Sequence, residues 1–168
     1  TYADSRHPDS VRFTTLLTED LSRRDFTVNA MAWSAETGLV DPFGGEQDLA
    51  AGVLRAVGMP EKRFSEDALR ILRLFRFAAQ LDFEIDPATA RGAAATAAGL
   101  ARISAERIFG ELTRTLTGKA AQKGLLAMRQ CGCVPYVFGG AEPDFSLLPA
   151  FDRLPADPAV RLAALLAP

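Results

Sequence analysis

The stretch from Ser65 to Gln80 constrains this chain more than any other. On a helical wheel, Ile71, Leu72, Leu74, Phe75, Ala78 and Ala79 gather on one broad apolar face. Arg70, Arg73 and Arg76 gather on the opposite side, with Glu66 among them and Asp67 at the border, one turn below Arg70. The pattern predicts one amphipathic helix entered at Ser65. Leu69 and Phe77 interrupt the arginine face, and a solvated face seldom mixes leucine and phenylalanine with three arginines, so this face is expected to meet something other than bulk water. The plain alternative is a surface ladder of i, i+3 and i, i+4 ion pairs, each contributing about 0.2–0.5 kcal/mol.

From Ser65 onward, helix start and stop signals recur. Ser65, Asp86-Pro87, Ser104 and Asp157-Pro158 read as starts, and Gly118 and Gly132 as stops. Five or six helices are implied. The first sixty residues mix shorter signals and read as the edge of an α/β unit. Val11 and Phe13 alternate with polar residues, Thr18-Glu19-Asp20 is an acidic helix start, and Phe26, Val28, Ala30, Met31 and Trp33 form a run expected to be buried. Leu39 to Pro42 reads as a short strand, Gly44-Gly45 as a turn into a short helix near Asp48, and Val53 to Val57 as a second strand.

Composition narrows the classes. The 168 residues, 48% of them hydrophobic, suffice for one domain or pieces of two. The start at Thr1 and the abrupt close at Ala167-Pro168 read as a cut from a longer chain. No signal peptide and no membrane-spanning run stand out, so a cytoplasmic protein with no membrane partner is expected. Cys131 and Cys133, without a second Cys/His pair, predict two reduced thiols. His7 is the only histidine, which leaves histidine-centred metal binding or triad chemistry little to build on. A net charge of −2 argues against a protein coated in positive charge, so any RNA contact must be local. Arginine nevertheless outnumbers lysine sixteen to three, and its fork suits bidentate contacts to phosphates and base edges.

Two constellations carry chemistry. Cytosine and adenine each present an exocyclic amino donor beside an unprotonated ring nitrogen, whereas uracil and guanine present the reverse. A carboxylate such as Asp67 accepts from the amino group and a guanidinium such as Arg70 donates to the ring nitrogen, so one Asp/Arg pair selects C and A without a nucleic-acid template. In the second, Arg23-Arg24 at a helix junction suits a triphosphate, and Asp25 could accept from a ribose hydroxyl, with Asn29 close behind. The bland reading makes Asp25 a helix cap flanked by surface arginines. Asp41-Pro42-Phe43-Gly44-Gly45 lacks the features of a phosphate loop and reads as a tight structural turn whose glycines allow close backbone approach.

Taken in order, five segments resemble the bacterial class of nucleotidyltransferases that includes CCA-adding enzymes and poly(A) polymerases. They are Tyr2 to Pro8, Arg23 to Ala30, Asp41 to Gly45, Glu66 to Arg70, and Ile103 to Ile108. Beyond Phe109 only the helical texture agrees. The resemblance implies a mainly α chain: the carboxy-terminal part of an α/β nucleotidyltransferase head (1–60), a helical neck with the nucleotide-selecting helix (61–118) and the start of a helical, RNA-binding body (119–168). It implies a nucleotide-binding set of Arg24, Asp25, Asn29, Asp67, Arg70 and Arg73, with Arg24 at the triphosphate, Asp25 at the ribose, and Asp67 with Arg70 as the template for CTP and ATP. It also implies a primer-side loop at Asp4 to Pro8, a neck brace at Glu106-Arg107, and a tRNA 3′ end as acceptor. The catalytic carboxylates that hold Mg²⁺ in such enzymes are expected upstream of Thr1, so this stretch alone is expected to recognise nucleotide without transferring it. A specialist that adds only A or only C shares these segments, and a non-catalytic helical RNA-binding descendant is the reading from another class.

Overall fold

The computed structural model describes the backbone of residues 2–4, 7–8 and 17–166, and the side chains of 17–166. The side chains of the Tyr2 to Pro8 segment, His7 among them, and the predicted alternation at Val11 and Phe13 lie outside the described residues. The elements run β1 (Tyr2–Asp4), β2 (His7–Pro8), α1 (Leu17–Ser22), β3 (Ala32–Ser34), β4 (Gly38–Val40), α2 (Gly45–Ala51), β5 (Val53–Leu54), α3 (Pro60–Glu66), α4 (Leu69–Leu81), β6 (Glu84–Ile85), α5 (Pro87–Thr96), α6 (Ala105–Leu116), α7 (Ala121–Gln130), α8 (Val134–Val137) and α9 (Pro158–Leu166). Short 3-10 segments cover Thr27–Asn29, Ala97–Arg102 and Leu148–Arg153. The chain is mainly α, as expected, with strands paired only two at a time among the described residues.

α4 lies at the centre. Its apolar face, Ile71, Leu72, Leu74, Phe75, Ala78 and Ala79, is 0–1% exposed and packs against α6 and α7. α7 comes unusually close: a Cβ at Gly124 would lie 2.5 Å from the Phe75 carbonyl oxygen, so only glycine permits this helix spacing. One apolar core runs from Phe26 and Leu54 through α4 to Phe151 and Leu165. Leu21, Ala30 and Val57 form a smaller cluster under α1.

Several start signals act as read. Asp86 accepts from the Thr89 amide at 3.0 Å with Pro87 opening α5, and Asp157 accepts from the Ala159 and Val160 amides at α9. The Asp41 carboxylate accepts from the Gly45 and Glu46 amides at the head of α2, and Gly44 takes a left-handed φ of 74°, so this segment is the tight turn expected.

Four expectations need correction. The helix expected from Ser65 is two helices: Pro60 opens α3 earlier, Ser65 lies inside it, and the chain leaves helical geometry at Asp67 (φ −152°, ψ 103°) before restarting at Leu69. The Asp67 carboxylate accepts from the Leu69 amide at 3.0 Å and so stabilises the break. Arg76 does not join Arg70 and Arg73 on an open face; it is 8% exposed, 3.2 Å from Glu111 of α6, and its guanidinium stacks 4.2 Å from the centre of the Phe77 ring. Burial pushes the Arg76 guanidinium below its ordinary range, and the Glu111 charge opposes that shift. Trp33, expected in a buried run, is 72% exposed on the β3–β4 hairpin opposite Leu39, whereas Phe26 and Ala30 are fully buried. The strand expected over 53–57 pairs only at Val53–Leu54, parallel to β6, and a single bridge joins Ala56 to Phe26.

Cys131 and Cys133 are free thiols in the core, and burial pushes the Cys133 thiol up to about 12, which leaves it unreactive at neutral pH. No helix among the described residues is long and apolar enough to cross a membrane.

Candidate nucleotide-binding cleft

The turn after α1 is fastened to the rest of the molecule by backbone first. The Thr27 amide donates to the Arg55 carbonyl at 2.9 Å and the Val57 amide to the Asp25 carbonyl at 3.0 Å. Thr27 Oγ1 then donates to the buried Asp48 at 2.7 Å, and Arg55 joins Asp48 to Asp86. These bonds hold Asp25 in a buried position facing α4.

Two arginines complete the junction by capping α1. Arg63 Nη2 donates to the Ser22 carbonyl at 2.6 Å, and Arg70 Nη2 to the Arg23 carbonyl at 2.9 Å, satisfying acceptors that the end of a helix leaves free. Glu66 accepts from both guanidiniums, at 2.7 Å from Arg63 and 3.0 Å from Arg70. Burial holds Arg63 below its ordinary range against the pull of Glu66.

A cleft of about 570 Å³ opens where these elements meet, between the turn after α1, the α3–α4 break and α6. All six sequence-predicted residues line it: Arg24, Asp25, Asn29, Asp67, Arg70 and Arg73. Asp25 accepts from the Phe26 amide and from Asn29 Nδ2 on one oxygen, and from Arg73 Nε at 2.7 Å on the other. Asp25 is therefore more than a helix cap with solvent around it. Arg23 and Arg24 both reach Asp20, at 2.9 and 3.0 Å, from side chains more than half exposed. The hydrogen bond from Arg24, with the charge of both arginines, holds the Asp20 carboxyl below its ordinary range.

Asp67 and Arg70 share the cleft without pairing. The Arg70 amide donates to the Asp67 carbonyl, but the Arg70 guanidinium goes to Glu66 and to the Arg63 and Arg23 carbonyls. The second Asp67 oxygen lies 3.8 Å from Arg107 of α6. Sequence reasoning placed Arg107 as a brace and left it out of the site; nothing local in its sequence shows that α6 delivers it to the cleft. Leu69 and Phe77 also line the space, which accounts for the apolar residues that interrupt the arginine face. Phe77 stands edge-on to Phe26 at 5.8 Å with the Arg73 guanidinium 5.5 Å from its centre.

Five arginines against two aspartates make this a site for a polyanion, with an apolar patch and two carboxylates for a ring that carries donors. The cleft does not suit a shared divalent cation, because each of its two carboxylates already faces an arginine, Asp25 facing Arg73 at 2.6 Å and Asp67 facing Arg107 at 3.8 Å. Among the described residues no group of three or more His, Cys, Asp or Glu side chains converges elsewhere.

The fold is a mainly α chain with an α/β edge at its start, carrying an arginine-rich cleft suited to a polyanion. Residues 1–55 match the family model of the poly A polymerase head domain, and residues 82–146 match that of the probable RNA and SrmB-binding site of polymerase A. The second match carries the likeness well past Phe109, where the sequence motifs stop. The CCA-adding enzymes of Limosilactobacillus fermentum and Streptococcus suis are 51% and 54% identical over 127 residues, 76% of this chain and 32% of each relative. Among solved structures, the Bacillus stearothermophilus CCA-adding enzyme in complex with CTP superposes with a TM-score of 0.74 at 38% identity, covering 90% of this chain and 35% of that one. The Thermotoga maritima CCA-adding enzyme complexed with tRNA gives a TM-score of 0.69 at 33% identity over 79% of this chain and 33% of that one. The chain belongs to the tRNA nucleotidyltransferase and poly(A) polymerase family, and it spans about a third of the length of the curated relatives it matches.

Proposed function

We propose that the full-length protein adds CMP and AMP, from CTP and ATP, to the 3′ end of tRNA in the cytoplasm, and that the cleft selects the nucleotide. The observation that carries this reading is the convergence of Arg23, Arg24, Arg70, Arg73 and Arg107 with Asp25 and Asp67 around Leu69 and Phe77. Arg24, exposed at the mouth, meets the triphosphate, while Asp25, already oriented by Asn29 and Arg73, accepts from the ribose. The base stacks against the apolar patch and presents its edge to Asp67 and Arg70. Asp67 has one oxygen free of a close hydrogen bond among the described residues, and it accepts from the exocyclic amine of C or A. Arg70 is aimed by Glu66 and two carbonyls, so its remaining N–H groups can donate to the ring nitrogen without first being ordered. U and G would place a carbonyl against Asp67 and an N–H against Arg70, leaving both unpaired.

On this reading residues 1–60 complete the head, 61–118 the neck and 119–168 the start of the body. When bound, Mg²⁺ would neutralise charge in such transfers; the carboxylates for it are expected upstream of Thr1. The test is a product analysis of the full-length protein on a tRNA lacking its 3′ CCA, with CTP alone, ATP alone and both. Addition of two C residues from CTP and a terminal A only when ATP is present supports CCA addition; a run of A from ATP alone makes it a poly(A) polymerase. No product from either nucleotide would leave a non-catalytic RNA-binding protein.

A further inference from the structure

Arg63 is absent from the lining of the cleft, yet it bonds to three segments that frame it. Its Nη2 donates to the Ser22 carbonyl at 2.6 Å, its Nε to the Val57 carbonyl at 3.2 Å and its Nη1 to Glu66 at 2.7 Å. The side chain is 12% exposed, so a cation is held inside the molecule from the middle of a seven-residue helix. Burying a guanidinium is costly, and capping α1 does not require one, since a lysine reaching in from the surface satisfies a terminal carbonyl as well. A planar fork with donors on three nitrogens, by contrast, meets acceptors in three directions at once.

The consequence reaches Arg70, whose three acceptors among the described residues all depend on Arg63. Arg70 Nη1 donates to the backbone carbonyl of Arg63 itself at 3.1 Å. The same nitrogen donates at 3.0 Å to Glu66 Oε2, the oxygen that Arg63 also holds. Arg70 Nη2 donates at 2.9 Å to the Arg23 carbonyl, one residue beyond the Ser22 carbonyl that Arg63 fixes. Glu66 keeps 40% of its side chain in solvent, and with Arg70 alone it would form an ordinary surface i, i+4 pair that orders neither side chain strongly. Arg63 turns that pair into a part of the folded joint between α1, α3 and α4.

We propose that Arg63 is a positioning residue for base selection: through Glu66, its own carbonyl and the end of α1, it fixes the direction of the Arg70 N–H groups that face the base, without touching the nucleotide. The inference rests on the reading of Asp67 and Arg70 as the base-selecting pair and adds what holds the arginine of that pair to one geometry.

The experiment uses the full-length protein and the variants Arg63→Lys, Glu66→Gln and Arg70→Ala. Binding of CTP, ATP, UTP and GTP is measured by calorimetry well below the lowest melting temperature of the set, with thermal melts on the same samples. Lysine keeps the charge but cannot span three acceptors. Arg63→Lys is expected to cut the preference for CTP over UTP, and for ATP over GTP, by about three- to tenfold, within the range for residues that share one hydrogen-bond network. The loss should fall on CTP and ATP. Glu66→Gln should shift the preference the same way with a smaller fall in melting temperature. An arginine that served the fold alone would lower the melting temperature while leaving the preference intact or weakening all four nucleotides equally, and either result in Arg63→Lys overturns the proposal. If Arg63→Lys does not fold, an undiminished preference in Glu66→Gln overturns it instead. A preference lost in Arg70→Ala but kept in Arg63→Lys removes the positioning role and leaves the base-selecting pair standing, whereas a parent without preference among the four nucleotides removes both.

Discussion

Arg73, on the central helix, closes on Asp25, 48 residues earlier in the chain: Nη2 lies 2.6 Å and Nε 2.7 Å from the same carboxylate oxygen. Asp25 is 6% exposed while Arg73 keeps about a third of its surface in solvent, so the pair joins the turn after α1 to α4 at the floor of the cleft. Breaking a buried pair costs more than the pair contributes, because it strands a charge. Arg73→Ala is therefore expected to destabilise by about 1–3 kcal/mol, below the range for fully buried pairs on account of solvent at the arginine. Arg73→Met with Asp25→Asn should recover part of that loss. Urea denaturation of the two variants and the parent checks it, and equal stability of Arg73→Ala and the parent would show that solvent already satisfies Asp25.

Base selection has its own signature. In calorimetry with the full-length protein, CTP and ATP are expected to bind about tenfold or more tightly than UTP and GTP, in line with about 1–3 kcal/mol for a paired base edge. Asp67→Ala should erase that preference with little change in stability, since among the described residues its carboxylate makes one close bond, to Leu69. Arg70→Ala should erase it as well and also lower the melting temperature, because Arg70 ties α4 to the Arg23 carbonyl. A preference that survives both substitutions would reduce these residues to structural contacts.

Acid should weaken the fold through Asp86. Burial raises the pKa of this carboxyl, but the Thr89 amide, the Thr89 hydroxyl and Arg55 together outweigh it and hold the folded value below the ordinary one. A depressed folded pKa means that the stabilisation is complete above about pH 4 and is lost as pH falls through the folded value. Stability should therefore decline on acidification below about pH 4, and Asp86→Ala should flatten the part of that decline due to this group. At neutral pH the substitution is expected to cost about 1 kcal/mol or more through the lost cap on α5. Denaturation midpoints of the two proteins between pH 6 and pH 2.5 decide it.

The seam between α4 and α7 tolerates no side chain at Gly124. A methyl group there would sit 2.5 Å from the Phe75 carbonyl and 3.0 Å from the Ala79 Cβ, and backbone cannot swing aside as a flexible side chain can. Gly124→Ala is expected to destabilise by about 1–3 kcal/mol despite the better helix propensity of alanine. A melt showing stabilisation would mean that the two helices separate easily.

The local chemistry of the chain determined much of this protein. The apolar stripe from Ile71 to Ala79, the caps at Asp86 and Asp157, and the Asp41 to Gly45 turn depend on residues within a few positions of one another, and each formed as its pattern dictates. The six candidate site residues were named through the family resemblance, and all six line one cleft. Tertiary structure decided what those residues touch. Whether Arg76 faced a ligand or the core depended on Glu111, 35 positions away on α6. The chain leaves helical geometry at Asp67, between α3 and α4, at the point where the Arg63 and Arg70 side chains reach back to the end of α1. Arg107 entered the cleft, and Asp25 became buried against Arg73, only through the packing of helices distant in sequence. Periodicity sets which face of a helix is apolar, whereas the partner that fills a polar face is fixed by long-range packing that no local pattern encodes.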